Sequence, residues 1–394
     1  MPNAMNQPLP VTVLAGLPGA GKTTLLNHLL DNHGGAGVAA VRGRADGLSG
    51  EIARVASEHR FDAVVVEALG SDDPQSIAES LVFDNDIAHL DTIVTVIDAE
   101  SFPRDYASTE VIADRDGDNA ADAETDGRTI VEVLIEQIEF CDVIVINKID
   151  LVTADALAKL RHILHALNPR AELIDARLGV VPASQLVNTD RFDFDATTSA
   201  PGWLSLLNED PAVVSGASGA SGNSGISGFV YRARRPFHPE RLWALVHQEW
   251  PGVLRCKGFF WLATRSDIGG ALSQAGGALR HGPAGMWWAA QERSEWPTGD
   301  AELEAEIAAD WFGNADDMSI GDRRQELAMI GENLDETHWR NAFNACLLTD
   351  EEWSLGSQAW RAFSDPFPSW EMEEHDGHHD HDHGDDCDCG AHDH

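Results

Sequence analysis

Lys22 and Thr23 close a glycine-rich stretch, Gly16-Leu17-Pro18-Gly19-Ala20-Gly21-Lys22-Thr23, followed by Thr24. Residue types in this order suit one task, holding the phosphates of a nucleotide. The glycines let consecutive backbone N–H groups turn inward onto phosphate oxygens. Lys22 adds a point charge, and the Thr23 hydroxyl is a ligand for Mg²⁺. The apolar run Val11-Thr12-Val13-Leu14-Ala15 precedes the stretch, and Thr24-Leu25-Leu26-Asn27-His28-Leu29-Leu30 follows it. That is the strand–loop–helix setting a phosphate loop requires, with the helix dipole adding to the pull on an anion.

A second cluster selects the base. Asn147-Lys148-Ile149-Asp150 follows the apolar run Val143-Ile144-Val145-Ile146. A carboxylate at Asp150 accepts from the ring N–H and the exocyclic amine of guanine, a pair adenine does not offer. Asn147 and Lys148 brace the loop and the base. The expected substrate is therefore GTP with Mg²⁺. A third element, Ala63-Val64-Val65-Val66-Glu67-Ala68-Leu69-Gly70, is a strand ending in an acid with a glycine beyond it. It places Glu67 near Mg²⁺ and the attacking water, and the Gly70 N–H near the γ-phosphate. The catalytic set is then Lys22, Glu67 and Gly70, and the reaction is GTP hydrolysis.

These residues need a scaffold. Apolar runs at Val11–Ala15, Val38–Val41, Ala63–Glu67, Thr92–Asp98, Val143–Asn147 and Glu172–Asp175 read as strands. Helical patterns fall at Thr23–Leu30, Glu51–His59, Gln75–Leu81, Thr129–Glu139 and Ala154–Leu167, the last stopped by Asn168-Pro169. Apolar strands alternating with helices predict a parallel sheet covered on both faces, an α/β P-loop NTPase domain over 8–208. The acidic stretch between Phe102 and Arg128 reads as a surface loop. A Gly/Ser-rich segment at 209–227 reads as a linker. A smaller α+β domain over 228–370 follows, rich in tryptophan, with strands expected at Gly228–Ala233, Gly258–Ala263 and Met286–Ala289 and a helix at Arg241–Glu249.

From residue 371 the chain turns to alternating His and Asp. His375, His378, His379, His381, His383, Cys387 and Cys389 supply donors suited to Zn²⁺, Ni²⁺ or Co²⁺. No apolar core is possible there, so a disordered metal-binding tail over 371–394 is expected. Cys141, Cys256 and Cys346 sit in apolar contexts and read as buried thiols.

Composition excludes other classes. The 394 residues carry 66 Asp and Glu against 27 Lys and Arg, a field that opposes nucleic-acid binding through a broad basic face. Of four lysines, two are in the nucleotide clusters, so the ammonium is wanted there. No run reaches the roughly 18 apolar residues of a membrane helix, and the N-terminal residues lack a signal pattern. A cytoplasmic protein is expected.

Together these segments resemble the CobW-type GTPases, a family that includes zinc metallochaperones. Besides the phosphate loop and Asn147-Lys148-Ile149-Asp150-Leu151, the resemblance rests on several segments. They are Glu67-Ala68-Leu69-Gly70-Ser71-Asp72-Asp73-Pro74 and Ile135-Glu136-Gln137-Ile138-Glu139-Phe140 in the first part. Arg235-Pro236-Phe237-His238-Pro239, Arg255-Cys256-Lys257-Gly258-Phe259-Phe260-Trp261 and Gly321-Asp322-Arg323-Arg324-Gln325-Glu326 lie in the second. The resemblance implies a CobW C-terminal-type second domain, zinc as cargo and a client metalloprotein as partner. It also implies an alternative, a GTP-binding protein that recruits a ribosome-associated hibernation factor under zinc starvation without transferring metal. One departure stands out. The family carries a cysteine-rich zinc segment ahead of the Glu67 strand, whereas Val38 to Asp62 contains no cysteine and Glu67 follows Thr23 by only 44 residues. The switch region is shortened, which implies weak hydrolysis.

Overall fold

A computed structural model describes residues 8–32, 37–43, 45–82, 87–112, 127–208, 225–297, 299–314 and 318–370. The tail ligands His375 to Cys389, most of the acidic loop and most of the Gly/Ser linker lie outside the described residues.

Six parallel strands form the first sheet: β1 (Leu9–Ala15), β2 (Val38–Arg42), β3 (Ala63–Glu67), β4 (Ala88–Asp98), β5 (Val143–Asn147) and β6 (Glu172–Asp175). Their order is β2-β3-β1-β4-β5-β6. Helices α1 (Lys22–Asp31), α2 (Ala45–Ser57), α3 (Pro74–Val82), α4 (Phe102–Tyr106), α5 (Ile130–Glu139) and α6 (Ala154–Leu167) connect them. Every residue of β3 and β5 is buried, which is why both read as unbroken apolar runs. One core, including Val64, Val66, Ile93 and Ile146, fills one side of the sheet; Leu14, Leu25, Val65 and Val145 belong to a second. The alternation of Val64 and Val66 with Val65 is the strand period delivering side chains to both faces.

Local chemistry fixes the helix ends. Thr129 and Glu132 form a reciprocal capping box at the start of α5, and Thr153 caps α6. Asn168, fully buried, ends α6. Its side-chain amide donates to Ile138 O at 2.9 Å and Cys141 O at 3.1 Å, clamping the turn from α5 into β5.

The second sheet is antiparallel, ordered β10-β9-β8-β11-β7, from β7 (Ile226–Ala233), β8 (Val253–Trp261), β9 (Ile268–Ala275), β10 (Ala278–Met286) and β11 (Gln325–Glu332). Helices Pro239–Val246 and Glu336–Cys346 contribute Leu242, Trp339 and Phe343 to its core, beside Phe237 and Phe260.

Three expectations need correction. Met286–Ala289 is not a strand of its own: β10 ends at Met286, and Trp288–Ala290 is a short 3₁₀ turn. Gly269 and Gly270 in β9, and Gly282, Pro283 and Gly285 in β10, interrupt the strand pattern and hid both strands. The stretch after Phe102 begins as helix α4, not loop. The helix before β3 spans Ala45–Ser57, earlier than the Glu51–His59 expected.

Candidate nucleotide site

The loop from Gly16 to Gly21 has the backbone its glycines allow. Gly16, Gly19 and Gly21 take φ of 138°, 83° and 107°, and Gly21 sits at the N-cap of α1. A Cβ on Gly21 would lie 2.3 Å from Asn147 Nδ2, so the base-selecting loop leans directly on the phosphate loop. Lys22 is buried, and its Nζ donates to Gly16 O at 2.5 Å, folding the ammonium back over the loop's mouth. Thr24, next on α1, is exposed.

β5 delivers the second cluster. Asn147 Nδ2 donates to Ala20 O at 2.9 Å, and its Oδ1 accepts from Gly179 N at 3.0 Å. Lys148, in the left-handed region at φ 59°, donates through Nζ to Gly19 O at 2.9 Å and pairs with Asp98 Oδ2 at 2.7 Å. Burial resists the charge on Asp98. The Lys148 ammonium and the N–H groups of Glu100 and Ser101 outweigh it and hold this carboxyl below its usual range. Asp150 lies in the turn Ile149–Leu151 with its side chain exposed, so it is open to an incoming base.

Glu67 ends β3 beside Leu14 of β1, one residue before Ala15 leads into the phosphate loop. The Thr23 hydroxyl donates to Glu67 Oε1. This hydroxyl–carboxylate pair is the donor set that holds Mg²⁺ in phosphate-loop enzymes, so the residues fit that ion. Glu67 Oε2 is ion-paired with Arg42 Nε at 2.6 Å. Gly70 follows in a loop pressed on the phosphate loop, where an added Cβ would sit 2.5 Å from Pro18 Cδ.

The structure thus brings Gly16, Gly19, Gly21, Lys22, Thr23, Asn147, Lys148, Glu67 and Gly70 to one end of the parallel sheet. Sequence reading missed three contributors. Arg42 is neighbour to Glu67 in the β2–β3 register, and Asp98 is neighbour to Asn147 in the β4–β5 register. Gly179, at φ 68°, packs its Cα side on Leu25 N. For Asp98 a signal existed, an acid ending the strand that flanks Val143–Asn147. Arg42 and Gly179 left none short of knowing strand order.

The other singled-out groups are structural. Cys141, Cys256 and Cys346 are buried; burial pushes the first two thiols up to about 12 and the third up to about 11. They stay protonated at neutral pH and are poor metal ligands. His238 precedes the helix Pro239–Val246, and its ring stacks on Phe363 at 5.1 Å. Gln325, fully buried, accepts from Trp261 N at 3.0 Å and donates to Arg235 O and Trp261 O at 2.9 Å each, so all three second-domain segments meet at one amide. Among the described residues no cluster of three His, Cys, Asp or Glu is arranged to hold a metal.

Known proteins carry the same two-part pattern. Residues 10–46 and 42–175 match the CobW/HypB/UreG nucleotide-binding domain, and residues 226–347 match the cobalamin synthesis protein cobW C-terminal domain. The two stretches of the first match meet at 42–46, where β2 gives way to α2. A zinc-regulated GTPase metalloprotein activator of Dictyostelium discoideum is 32% identical over 415 residues, spanning 91% of this chain and 84% of that protein. A zinc chaperone of Mycobacterium tuberculosis is 34% identical over 247 residues, 62% of this chain and 56% of its own length. The crystal structure of a Zn(II)-bound YjiA GTPase from E. coli aligns at 19% identity with a TM-score of 0.36, covering 87% of this chain and 100% of the other. With a phosphate loop, a guanine-type loop and a C-terminal domain in one order, the chain belongs to the CobW family of P-loop GTPases.

Proposed function

We propose that this protein binds GTP at the Gly16–Thr23 loop, hydrolyses it, and couples that cycle to zinc handling for a client metalloprotein in the cytoplasm. The observation that carries the nucleotide half is the seating of Asn147 and Lys148 on the phosphate loop, through Ala20 O and Gly19 O. The phosphate and base sites are then one rigid unit, and a nucleotide is measured end to end. Backbone N–H groups and Lys22 oppose the charge of the β- and γ-phosphates. Bound Mg²⁺, held by Thr23 with Glu67 close by, would neutralise charge on the phosphates. Glu67 and the Gly70 N–H orient water and γ-phosphate for in-line attack. Among the described residues no helix is long and apolar enough to cross a membrane.

Zinc enters this reading as cargo. Its support is the His/Asp/Cys tail, His375 to Cys389, and the names of the relatives. A second reading has its own observation. The cysteines of the two domains are buried and protonated, and none stands between Thr23 and Glu67. A GTP-binding recruitment protein, engaging a ribosome-associated factor without transferring metal, accounts for that. Equilibrium dialysis with Zn²⁺ separates the two, using the full chain and a chain ending at Glu374, each with GDP and with a non-hydrolysable GTP analogue. Zinc affinity that changes with nucleotide supports metal transfer. Zinc held by the tail alone and indifferent to nucleotide supports recruitment.

A further inference from the structure

Two of the segments that stand out in the sequence, Ile135–Phe140 and Arg255–Trp261, have no part in the nucleotide site, yet they meet. Arg255 on β8 reaches out of the second domain and grips Glu139 at the end of α5. Its Nε lies 2.7 Å from Oε1 and its Nη2 3.1 Å from Oε2, a bidentate pair. Both side chains are under a tenth exposed. Arg255 Nη1 is anchored in its own sheet by Ser273 Oγ at 2.9 Å and Gln274 O at 3.1 Å. Fork-to-fork pairing of this kind fixes direction as well as distance. Further contacts tie the same region down. The Tyr106 hydroxyl donates to Leu254 O, and Arg280 on β10 pairs with Glu132 at the head of α5.

The opposite side of α5 holds the loop behind Glu67. Gln137, fully buried, donates through Nε2 to Gly70 O at 3.0 Å and Asp72 O at 3.3 Å. Arg128, just before α5, donates to Ser71 O at 2.8 Å while pairing with Glu136 at 2.6 Å. Three consecutive carbonyls of the loop that presses on Pro18 are therefore held from α5 and its N-terminal flank. Gln137 Oε1 is buried with no hydrogen-bond partner among the described residues. A buried amide satisfied at one end only is costly, and a loop N–H brought within reach would complete it.

We infer that α5 is the link through which the second domain sets the position of the Gly70–Asp72 loop, with Gln137 as a positioning residue for hydrolysis and Glu139–Arg255 as its anchor. The inference rests on the GTPase reading above. Gln137 touches the loop at Gly70 O, so a shift of α5 moves the loop carrying the N–H meant for the γ-phosphate. A client that bound the second domain and shifted α5 would then change the hydrolysis rate, and only to the extent that it also changed nucleotide affinity would the nucleotide change its own affinity in return.

The test uses the full chain. Gln137→Met keeps the volume and removes the donor. The paired variant Glu139→Gln with Arg255→Met removes both charges together, so no lone charge is left buried. GTP affinity comes from titration, hydrolysis from single turnovers, and folding from thermal melts. Each variant is expected to lose about tenfold in single-turnover rate with GTP affinity within about twofold, since the phosphate loop is untouched. All three changes together are expected to be no slower than the slower variant, because they break one chain of contacts. Hydrogen exchange across 68–73 should quicken in the paired variant. A folded paired variant with wild-type rate and wild-type exchange overturns the inference, and so do fully additive losses. If Gln137→Met does not fold, the paired variant alone decides. A wild-type chain that fails to hydrolyse GTP at all would instead defeat the functional reading beneath it.

Discussion

The nucleotide cradle and the second domain are both built from short, recognisable segments, but the segments do different work. In the cradle they shape backbone. Gly16 and Gly21 occupy φ values that side-chain-bearing residues avoid, and a Cβ at either would meet Val96 O at 2.5 Å or Asn147 Nδ2 at 2.3 Å. In the second domain they hold other segments. Gln325 binds Arg235 and Trp261, Asp322 accepts from the N–H groups of Trp288 and Ala289 at 2.9 Å each, and Arg255 holds Glu139 of the first domain. A distinctive segment is therefore not by itself a ligand site. Where it forces backbone into a turn facing solvent it leaves N–H groups for a ligand; where its polar groups are consumed inside, it holds the molecule together.

Mutations that separate binding from stability test this contrast. Lys22→Ala has the largest expected effect. Removing the ammonium should weaken GTP more than about 100-fold, about 3 kcal/mol, on the scale of a charge-assisted contact, with the melting temperature little changed. Fluorescent-nucleotide titration and calorimetry read the two quantities. Gln325→Leu should do the reverse. It leaves the buried Trp261 N–H without an acceptor and should cost about 2–3 kcal/mol of stability, while the folded protein keeps its GTP affinity. Reduced GTP affinity in that variant at low temperature would break the division between the two regions.

Much of the cradle was legible because its constraints are local. A left-handed backbone favours glycine, a helix start needs its cap, and a phosphate needs N–H groups, so order and spacing survive in one dimension. The strands Ala63–Glu67 and Val143–Asn147 were legible for a similar reason, since full burial permits only apolar residues. Arg42 and Gly179 were not, because their roles come from strand order and loop contact, and Asp98 showed only as an acid at a strand end. The second domain was harder. Strand β10 carries Gly282, Pro283 and Gly285 and looks like a loop, and its place in the sheet is fixed by pairing with β9, a tertiary fact. The partners of Gln137 and Glu139 lie 67 and 116 residues away along the chain, beyond any spacing rule.

Two smaller effects sharpen the comparison. Gly21→Ala forces a side chain into a left-handed position and against Asn147, so a loss of about 1–3 kcal/mol is expected, with weaker GTP binding. Gly282→Ala on β10 meets open space and should change stability by less than about 0.5 kcal/mol. Urea titration of both variants checks the pair. The smallest effect is electrostatic. Hydrogen bonds from Arg241 hold the Glu352 carboxyl down to about 2 in the folded protein, from an ordinary value near 4.5. Because the folded value is the lower one, this contribution is complete above pH 4.5 and is lost as pH falls toward 2. Arg241 and Glu352 are both partly exposed, so solvent screening reduces the gain. The melting-temperature gap between wild type and Glu352→Gln should hold from pH 6 to about pH 4.5 and narrow below that toward pH 2.

The central claim is that Asn147–Asp150, braced on the phosphate loop, makes this a guanine-nucleotide site. Competition against fluorescent GTP, with Mg²⁺ present, tests it directly with GTP, ATP and xanthosine triphosphate on the wild type and on Asp150→Asn. The account predicts that GTP displaces the probe from the wild type at least about 100-fold better than ATP, and that Asp150→Asn shifts the preference toward xanthosine triphosphate, since an acceptor has become a donor. Equal displacement by ATP and GTP, or a variant that keeps its preference for GTP, would contradict it.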